Sequence, residues 1–153
     1  MLHTIRKYTQ SDRASVCAIW FRSGRDEYTY LDDWLTLTES EAGDLFDRLI
    51  VDKCQVWVAE DTEIAGFLAM NDSYVDRLYV DPSKQRGGWG ALLLAKAKGL
   101  CPSGLELHTH QQNQRARNFY EKHGFRAVRF GLSPPPESAP DVEYHWRRRL
   151  DDV

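Results

Sequence analysis

A glycine-rich turn in the middle of the chain carries the clearest chemical signal of the sequence. Three glycines, Gly87, Gly88 and Gly90, stand within four positions, shortly after an apolar stretch that ends at Asp81-Pro82. Glycine lets a main chain approach a ligand closely, and a strand-turn-helix order points several N–H groups outward at the positive end of a helix dipole. The turn therefore predicts an anion site, most often one for a phosphate.

Two common nucleotide motifs do not fit this turn. A P-loop requires Gly-Lys followed by Ser or Thr, and the chain has no such triplet. A dinucleotide fingerprint would place Gly-x-Gly-x-x-Gly directly after the first strand of a β-α-β unit, whereas Gln85-Arg86 precedes the glycines here. A tight strand-to-helix connection without any ligand is the alternative interpretation.

The elements around the turn follow from hydrophobic periodicity and turn residues. Alternation of apolar and polar residues predicts strands, and apolar residues at three- and four-residue spacing predict helices. The predicted strands are 4–8, 55–60, 64–70, 74–80, 105–110, 125–130 and 142–149, and the predicted helices are 13–22, 39–51, 89–100 and 113–123. Gly24 is predicted to end the first helix and Gly124 the last. The order predicts an α/β protein of the α+β type, with a mixed, mostly antiparallel central sheet of about seven strands flanked by about four helices.

Length and composition limit the class of protein. With 153 residues, 42% of them hydrophobic and 28% charged, the chain is expected to form one domain over residues 1–153. The net charge of −3 argues against a general nucleic-acid binder, and no apolar run is long enough to span a membrane. The first residues lack the apolar centre of a signal peptide and the three cysteines are scattered, so a cytoplasmic location is expected.

A second motif changes the interpretation of the turn. Residues 113–125, beginning with Asn113, follow the Gln-x-x-Gly-x-Gly motif of Gln85, Gly88 and Gly90. The two motifs together resemble the GNAT superfamily of acyl-CoA-dependent N-acyltransferases, and the order of predicted elements agrees with that family along nearly the whole chain. The resemblance implies the GNAT-like fold, acetyl-CoA as cofactor, and direct attack of a primary amine on the thioester in a ternary complex.

The resemblance assigns coenzyme A to the turn and the elements beside it. Main-chain N–H groups of the turn would hold the pyrophosphate, and main-chain groups at the end of strand 74–80 would bind the pantetheine arm and the acetyl carbonyl. The implied cofactor residues are Leu78, Tyr79, Val80, Gln85, Arg86, Gly87, Gly88, Trp89, Gly90, Ala91, Asn113 and Arg117. Trp89 departs from the smaller aliphatic residue or Tyr that the family usually has at that position.

Two residues are expected to take part in the chemistry. By the resemblance, Tyr120 would protonate the departing thiolate, and its spacing from Asn113 places both on one face of a helix. The attacking amine must be neutral, and His108 is the first candidate for the base because imidazole titrates near neutrality. His108 stands where some family members carry a base-like carboxylate. An ordinary structural role is the alternative for Tyr120 and for His108, and Asp76 is the reserve base.

The acceptor is expected to be a small cationic amine or a protein amino group. By the resemblance, residues 24–38 and the loop before the last strand border the acceptor site. Residues 24–38 mix aromatic and acidic side chains, which together suit a cation. The expected acceptor-binding residues are Tyr28, Tyr30 and Asp76. A homodimer is a further expectation, since helix and strand edges often pair in this fold, and no metal is expected.

Two other classes of protein stay open on the sequence alone. A non-catalytic acyl-CoA-binding or sensing module could use the same scaffold, although it would not need an acid at the sulfur. A different phosphate-ligand protein could use the glycine turn by itself. A covalent cysteine route is disfavoured, because Cys17, Cys54 and Cys101 lie away from the expected position of the sulfur.

Overall fold

Seven strands and four helices make up the described part of the chain, which in this computed structural model comprises residues 2–27, 37–134 and 138–148. The strands are β1 Thr4–Lys7, β2 Gln55–Glu60, β3 Ile64–Asn71, β4 Tyr74–Val80, β5 Gly104–His110, β6 Arg126–Leu132 and β7 Pro140–Arg147. The helices are α1 Arg13–Glu27, α2 Glu39–Phe46, α3 Trp89–Leu100 and α4 Gln114–Lys122. Short 3₁₀ turns lie at Gln10–Asp12 and Pro82–Lys84, and a π-helical segment, Asp47–Val51, continues α2.

The strands form a mixed sheet in the order β1-β2-β3-β4-β5-β7-β6. Pairing is antiparallel between β1 and β2, β2 and β3, β5 and β7, and β6 and β7. The pairing of β4 with β5 is parallel and joins Tyr74 to Glu106. The predicted fold class, a mixed and mostly antiparallel sheet flanked by helices, is therefore confirmed.

The chain divides into two compact units. The first unit comprises residues 1–71 and 75–97, and the second unit comprises residues 72–74 and 98–153. The glycine turn belongs to the first unit, whereas Asn113 and Tyr120 belong to the second. The expectation of one domain over residues 1–153 stays a prediction.

An aromatic cluster forms the centre of the first unit. Trp20 of α1, Phe46 of α2 and Phe67 of β3 are buried, with ring centroids 5.9 Å apart for the first two and 6.1 Å apart for the last two. Tyr79 of β4 joins them at 5.9 Å from Phe67. Burying one such side chain contributes about 1.5–3 kcal/mol, so the cluster holds β4, and with it the start of the glycine turn, against the core.

The first helix differs from its prediction at the C-terminal end. Gly24 lies inside α1, which continues to Glu27, so its predicted role as a C-cap is wrong. A helical glycine costs about 1 kcal/mol relative to alanine, and the packing of α1 against the core outweighs this local cost. Among the described glycines, positive φ occurs at Gly88 and Gly124. The value of 91° at Gly124 confirms the cap predicted after the last helix.

The acidic residue before α1 is held by a short-range network. Asp12 accepts a hydrogen bond from the main-chain N–H of Thr9 at 2.8 Å, which closes the turn that leads into the helix. Arg6 donates two further hydrogen bonds to the Asp12 carboxylate, at 2.8 and 2.9 Å. The Arg6 guanidinium, together with the Thr9 donors, lowers the pKa of Asp12 to about 2. This carboxylate therefore stays charged at neutral pH and connects β1 to the start of α1.

A substitution of Gly66 tests how closely β3 packs beside the end of β4, its neighbour in the sheet. A Cβ at Gly66 would lie 2.6 Å from the carbonyl oxygen of Tyr79, and this main-chain atom cannot move aside cheaply. Gly66→Ala is expected to lower the free energy of unfolding by about 1–3 kcal/mol, measured by urea denaturation. Gly99→Ala is the matched control: no atom lies within 4 Å of the new Cβ in α3. That variant should gain about 0.5–1 kcal/mol. Equal stabilities for the two variants would contradict the packing argument.

Candidate functional site

A half-buried acidic cap, Asp81, begins the glycine turn of the first unit. The Asp81 carboxylate accepts hydrogen bonds from the Ser83 main-chain N–H at 3.1 Å and the Ser83 hydroxyl at 3.0 Å. Arg22 of α1 donates to the other carboxylate oxygen at 2.8 Å. Burial opposes the charge on Asp81, but these donors outweigh it, and the net effect lowers the pKa of Asp81. The charged cap holds the chain where it leaves β4.

The turn itself contains two residues with left-handed backbone. Arg86 has a φ of 71° and Gly88 a φ of 82°. The space around the Cβ position of Gly88 is open, so its dihedral angle, and not crowding, requires glycine there. Positive φ is uncommon for a residue with a side chain, and Arg86 adopts it on an exposed part of the turn. The backbone path here is therefore unusual and well defined.

The main-chain N–H groups that follow have no acceptor among the described residues. No described residue accepts a hydrogen bond from the N–H groups of residues 86–91. The first N–H groups of an α-helix have no intrahelical partner, and α3 begins at Trp89. The helix dipole adds a positive partial charge at the same end. Turn and helix together present a row of donors suited to an anion with several oxygen atoms.

Trp89 is accommodated beneath the turn. Its side chain is buried, and its ring centroid lies 3.7 Å from that of His3. A Cβ at Gly87 would lie 3.2–3.3 Å from two atoms of the indole ring, closer than ordinary contact. The large ring therefore packs on the protein side of the turn and makes glycine favourable at position 87. The main-chain N–H of Trp89 is one of the donors without an acceptor among the described residues.

The predicted residues of β4 differ in their surroundings. Tyr79 lies in the aromatic core, whereas Leu78 and Val80 are half-buried. The Val80 carbonyl accepts a hydrogen bond from the Ser23 hydroxyl at 3.4 Å. Any contact of Tyr79 with a ligand would therefore involve its main chain, as the family resemblance implies.

Asp76, the reserve base and expected acceptor-binding residue, is engaged with its neighbours. Its carboxylate lies 3.5 Å from the guanidinium of Arg77. Burial, with the charge and hydrogen bond of Asp76 as further causes, raises the pKa of the Cys54 thiol to about 11. Cys54 is therefore a neutral thiol at physiological pH and packs beside the carboxylate.

In the second unit, Asn113 is the N-cap of α4. Its side-chain oxygen accepts a hydrogen bond from the Ala116 N–H at 3.1 Å, and the residue is buried. Its main-chain N–H donates to the His110 carbonyl at 3.0 Å, which fixes the end of β5 against the start of the helix. The residue predicted to bind the pantetheine arm thus also has a structural role.

Tyr120 lies in a cluster of aromatic rings. It is buried, with ring centroids 5.2 Å from Phe119, 5.4 Å from Phe125 and 6.4 Å from Tyr144. Tyr144 donates to the Glu121 carboxylate at 2.6 Å. Burial, followed by this carboxylate, raises the pKa of Tyr144. Three aromatic rings therefore pack around the Tyr120 side chain.

Arg117 takes part in the same network. Its Nε donates to the Tyr144 hydroxyl at 3.1 Å, and its guanidinium lies 5.6 Å from the centroid of the Phe130 ring. The bond to Tyr144 is the main cause of a raised pKa at Arg117. Its predicted contact with the cofactor stays a prediction, and the structure gives the side chain partners within the protein.

His108 lies on a polar face of β5 with partners that the sequence did not indicate. Its Nδ1 lies 2.8 Å from the hydroxyl of Tyr74, and its Nε2 lies 3.6 Å from Oε1 of Glu143. His145 and Arg129 contact the same carboxylate, at 2.5 and 3.1 Å. Alternation along β7 could have placed Glu143 and His145 on one face. The pairing of that face with His108 depends on strand register, which has no local signal.

Two of the expected acceptor-binding residues, Tyr28 and Tyr30, lie outside the described residues. None of the helices in the described ranges has the length and apolar character that a membrane crossing requires. Within those ranges, no group of three or more His, Cys, Asp or Glu side chains is arranged to hold a metal ion.

Comparisons with known proteins agree with this fold. The model of the acetyltransferase (GNAT) domain matches residues 52–127. YafP of Escherichia coli K12, described as an uncharacterized N-acetyltransferase, is 33% identical over 132 residues, which cover 82% of this chain and 82% of YafP. YjaB of the same strain, named a peptidyl-lysine N-acetyltransferase, is 29% identical over 130 residues, which cover 84% of this chain and 85% of YjaB.

Solved structures share the same architecture. The solution structure of apo-form YjaB from E. coli aligns with a TM-score of 0.80 and 24% identity over 97% of this chain and 100% of that chain. The crystal structure of PaiA N-acetyltransferase from Thermoplasma acidophilum in complex with coenzyme A aligns with a TM-score of 0.71 and 18% identity, covering 96% and 99% of the two chains. The fold is therefore that of the N-acetyltransferases. The chain belongs to the GNAT superfamily, and the enzyme class expected from the sequence, an acyltransferase, is confirmed.

Two substitutions of Asn113 separate its structural role from its predicted role in binding. Asn113→Ser keeps a capping oxygen for α4, whereas Asn113→Ala does not, so the alanine variant should be less stable by about 1 kcal/mol in urea denaturation. Both variants lack the side-chain amide, and both should bind coenzyme A about three- to tenfold more weakly in calorimetric titration. Wild-type affinity in the serine variant would show that the amide does not contact the cofactor.

Proposed function

We propose that this enzyme transfers an acetyl group from acetyl-CoA to a primary amine by direct attack in a ternary complex. The observation that carries the proposal is the row of main-chain N–H groups over residues 86–91 that have no acceptor in the described ranges, in a chain that belongs to the GNAT superfamily. The coenzyme A complex of PaiA, which has the same fold, supports the choice of cofactor.

The residues of the turn fit a diphosphate. Main-chain donors need no particular side chain, and glycines at 87, 88 and 90 leave their approach open. In the proposal these donors hold the pyrophosphate, the main chain of Leu78 and Val80 binds the pantetheine arm, and Asn113 supplies an amide donor. Acetyl-CoA, when bound, supplies an activated thioester.

Tyr120 is the proposed acid at the sulfur. Its ring is held by Phe119 and Phe125, so its hydroxyl has a defined position and needs little reorganisation during the reaction. A phenol can donate a proton to a thiolate as the carbon–sulfur bond breaks, which makes the leaving group neutral. A module that only binds acyl-CoA would have no use for this proton.

The proposed acceptor is a protein lysine or a small cationic amine. YjaB, which aligns with most of this chain, is named for activity on peptidyl lysine, and this supports the first of the two. Both are ammonium ions at neutral pH, so the enzyme must remove a proton before attack. His108 is the proposed base for that step, with Asp76 in reserve.

A cytoplasmic location and a homodimer belong to the same proposal. Cys17, Cys54 and Cys101 are all free thiols, as expected in a reducing compartment. Strand β6 stands at the edge of the sheet and exposes Val128, Phe130 and Leu132. An unpaired apolar edge of this kind supports self-association.

An amine panel with acetyl-CoA tests the proposed function, with thiol release as the measurement. Lysine-containing peptides and small diamines should be acetylated, and Tyr120→Phe should lower kcat by about 10²- to 10⁴-fold. Tyr8→Phe is the matched control, since its hydroxyl is buried without a hydrogen-bond partner among the described residues and plays no part in the proposed chemistry. Full activity of Tyr120→Phe would show that another group is the acid.

The same assay separates the competing classes of protein. Coenzyme A, but not ATP or NAD, should raise the thermal unfolding temperature through binding to the folded state. Protection by coenzyme A with no turnover of any amine would favour an acyl-CoA sensor. Equal protection by ATP or NAD would favour a different phosphate-ligand protein.

The pH dependence of His108→Ala tests the base. The variant should lose far more activity at neutral pH than at high pH, because free amine becomes abundant as the pH rises. His123→Gln removes another imidazole of the second unit and should keep the wild-type profile. A pH–rate profile of His108→Ala that parallels the wild type would exclude His108 as the base.

A further inference from the structure

A row of ionisable side chains lies along one face of the second unit. The Tyr74 hydroxyl of β4 lies 2.8 Å from Nδ1 of His108 in β5, and Nε2 of His108 lies 3.6 Å from Oε1 of Glu143 in β7. Oε2 of Glu143 lies 2.5 Å from Nε2 of His145 in the same strand. His108 and Glu143 are directly opposite in the antiparallel register of β5 and β7. The His108 side chain is 41% exposed, whereas that of Glu143 is 16% exposed. The carboxylate is thus the inner member of the pair.

The position of Glu143 selects one tautomer of His108. Its Oε1 lies 3.6 Å from Nε2, too far for a direct hydrogen bond and close enough for a clear charge interaction. A proton on Nε2 faces the carboxylate favourably, whereas the other tautomer would place a lone pair against it. With the proton on Nε2, Nδ1 becomes an acceptor, and the Tyr74 hydroxyl at 2.8 Å must donate to it.

The carboxylate is kept ionised by other neighbours. His145 donates to Oε2 at 2.5 Å, and Arg129 of β6 donates to Oε1 at 3.1 Å. The bond from His145 is the largest cause of a lowered pKa at Glu143, with Arg129 and His108 adding to it against the effect of burial. Glu143 therefore carries its negative charge wherever the enzyme would work.

We propose that Glu143 is a positioning residue that fixes the Nε2–H tautomer of His108 and thereby makes Tyr74 the proton carrier between the acceptor amine and the base. One proton leaves the acceptor ammonium for the Tyr74 oxygen as the Tyr74 proton moves to Nδ1. The products are a neutral amine, an intact tyrosine and an imidazolium ion beside the Glu143 carboxylate. This inference rests on the proposed function, since it assigns the route of the proton in that reaction.

The other charged groups on this face complete the electrostatic setting. Glu106 of β5 is the backbone partner of Tyr74 in the parallel pairing of β4 and β5. Its carboxylate oxygen Oε1 lies 3.5 Å from Nη2 of Arg147 in β7. Together with Glu143, His145 and Arg129, Glu106 and Arg147 give this polar face two carboxylates, two guanidinium groups and a second imidazole besides His108. Glu143 is the carboxylate that contacts the His108 ring directly, so its removal is the selective test.

Nitrogen-15 NMR of the imidazole rings measures the tautomer without any assay of activity. In the wild type, His108 (assigned by comparison with His108→Ala) should show a protonated Nε2 and an unprotonated Nδ1 in its neutral form. Glu143→Gln should abolish this preference. The same variant should lower kcat about three- to tenfold, with KM for acetyl-CoA unchanged.

Three variants serve as controls. Asp141→Asn removes a charge two residues away on the same strand, and it should leave the His108 tautomer and kcat unchanged. Glu143→Asp keeps the charge at a greater distance and should restore part of the tautomer preference and of the wild-type kcat. Tyr74→Phe removes the carrier, so it should lower kcat while the tautomer preference imposed by Glu143 persists.

The possible outcomes separate this inference from the function on which it rests. A protonated Nδ1 in the wild type, or a tautomer that Glu143→Gln does not change, would overturn the inference even if the enzyme acetylates amines. Absence of turnover with every amine would refute the proposed function, and the NMR result alone would then decide whether Glu143 sets the tautomer. Full kcat in Tyr74→Phe would overturn the role of Tyr74 as carrier.

Discussion

The main-chain N–H groups at the start of α3, which no residue of the described ranges accepts from, are the constraint on which the first unit depends. Buried N–H groups without partners are costly, and an exposed turn avoids that cost because water or an anion can accept from them. The turn must therefore stay open, which positive φ at Gly88 and the cap at Asp81 achieve. The buried Trp89 ring and the aromatic cluster behind β4 hold this open backbone in place. The core supports the turn from behind, and a ligand of the proposed kind would contact only its main chain.

The fold was predictable where local pattern and tertiary packing agree. The bounds of β2, β4 and α3 follow from alternation, apolar spacing and the Pro and Gly residues between them. Gly24 shows where they disagree, since its local tendency to end a helix is weaker than the packing of α1. The change from α2 to a π-helical segment at Asp47 has no signal that we can identify in the sequence.

The candidate site was predictable in its residue types and much less so in their partners. The motif indicated Asn113 as a cofactor residue. The Asn113 side chain also accepts the capping hydrogen bond from the Ala116 N–H, a structural role that the motif did not indicate. Arg117 was expected to contact the cofactor, and the structure shows that Tyr144 and Phe130 are its partners within the protein. Contacts of this kind arise from strands and helices that are distant in sequence. A single sequence contains their residues but not their pairing.

Strand register is the clearest case, because the proposed proton transfer in the second unit depends on it. A slip of one residue between β5 and β7 would turn Glu143 to the opposite face and place Tyr144 beside His108 instead. The His108 imidazole would then have no Glu143 carboxylate to orient it, and its Nδ1 could either donate to or accept from the Tyr74 hydroxyl. The apolar residues on the other face prevent such a slip, since Leu107 and Tyr144 would lose their burial. The hydrophobic core of this unit therefore fixes the register on which the proposed direction of proton transfer depends.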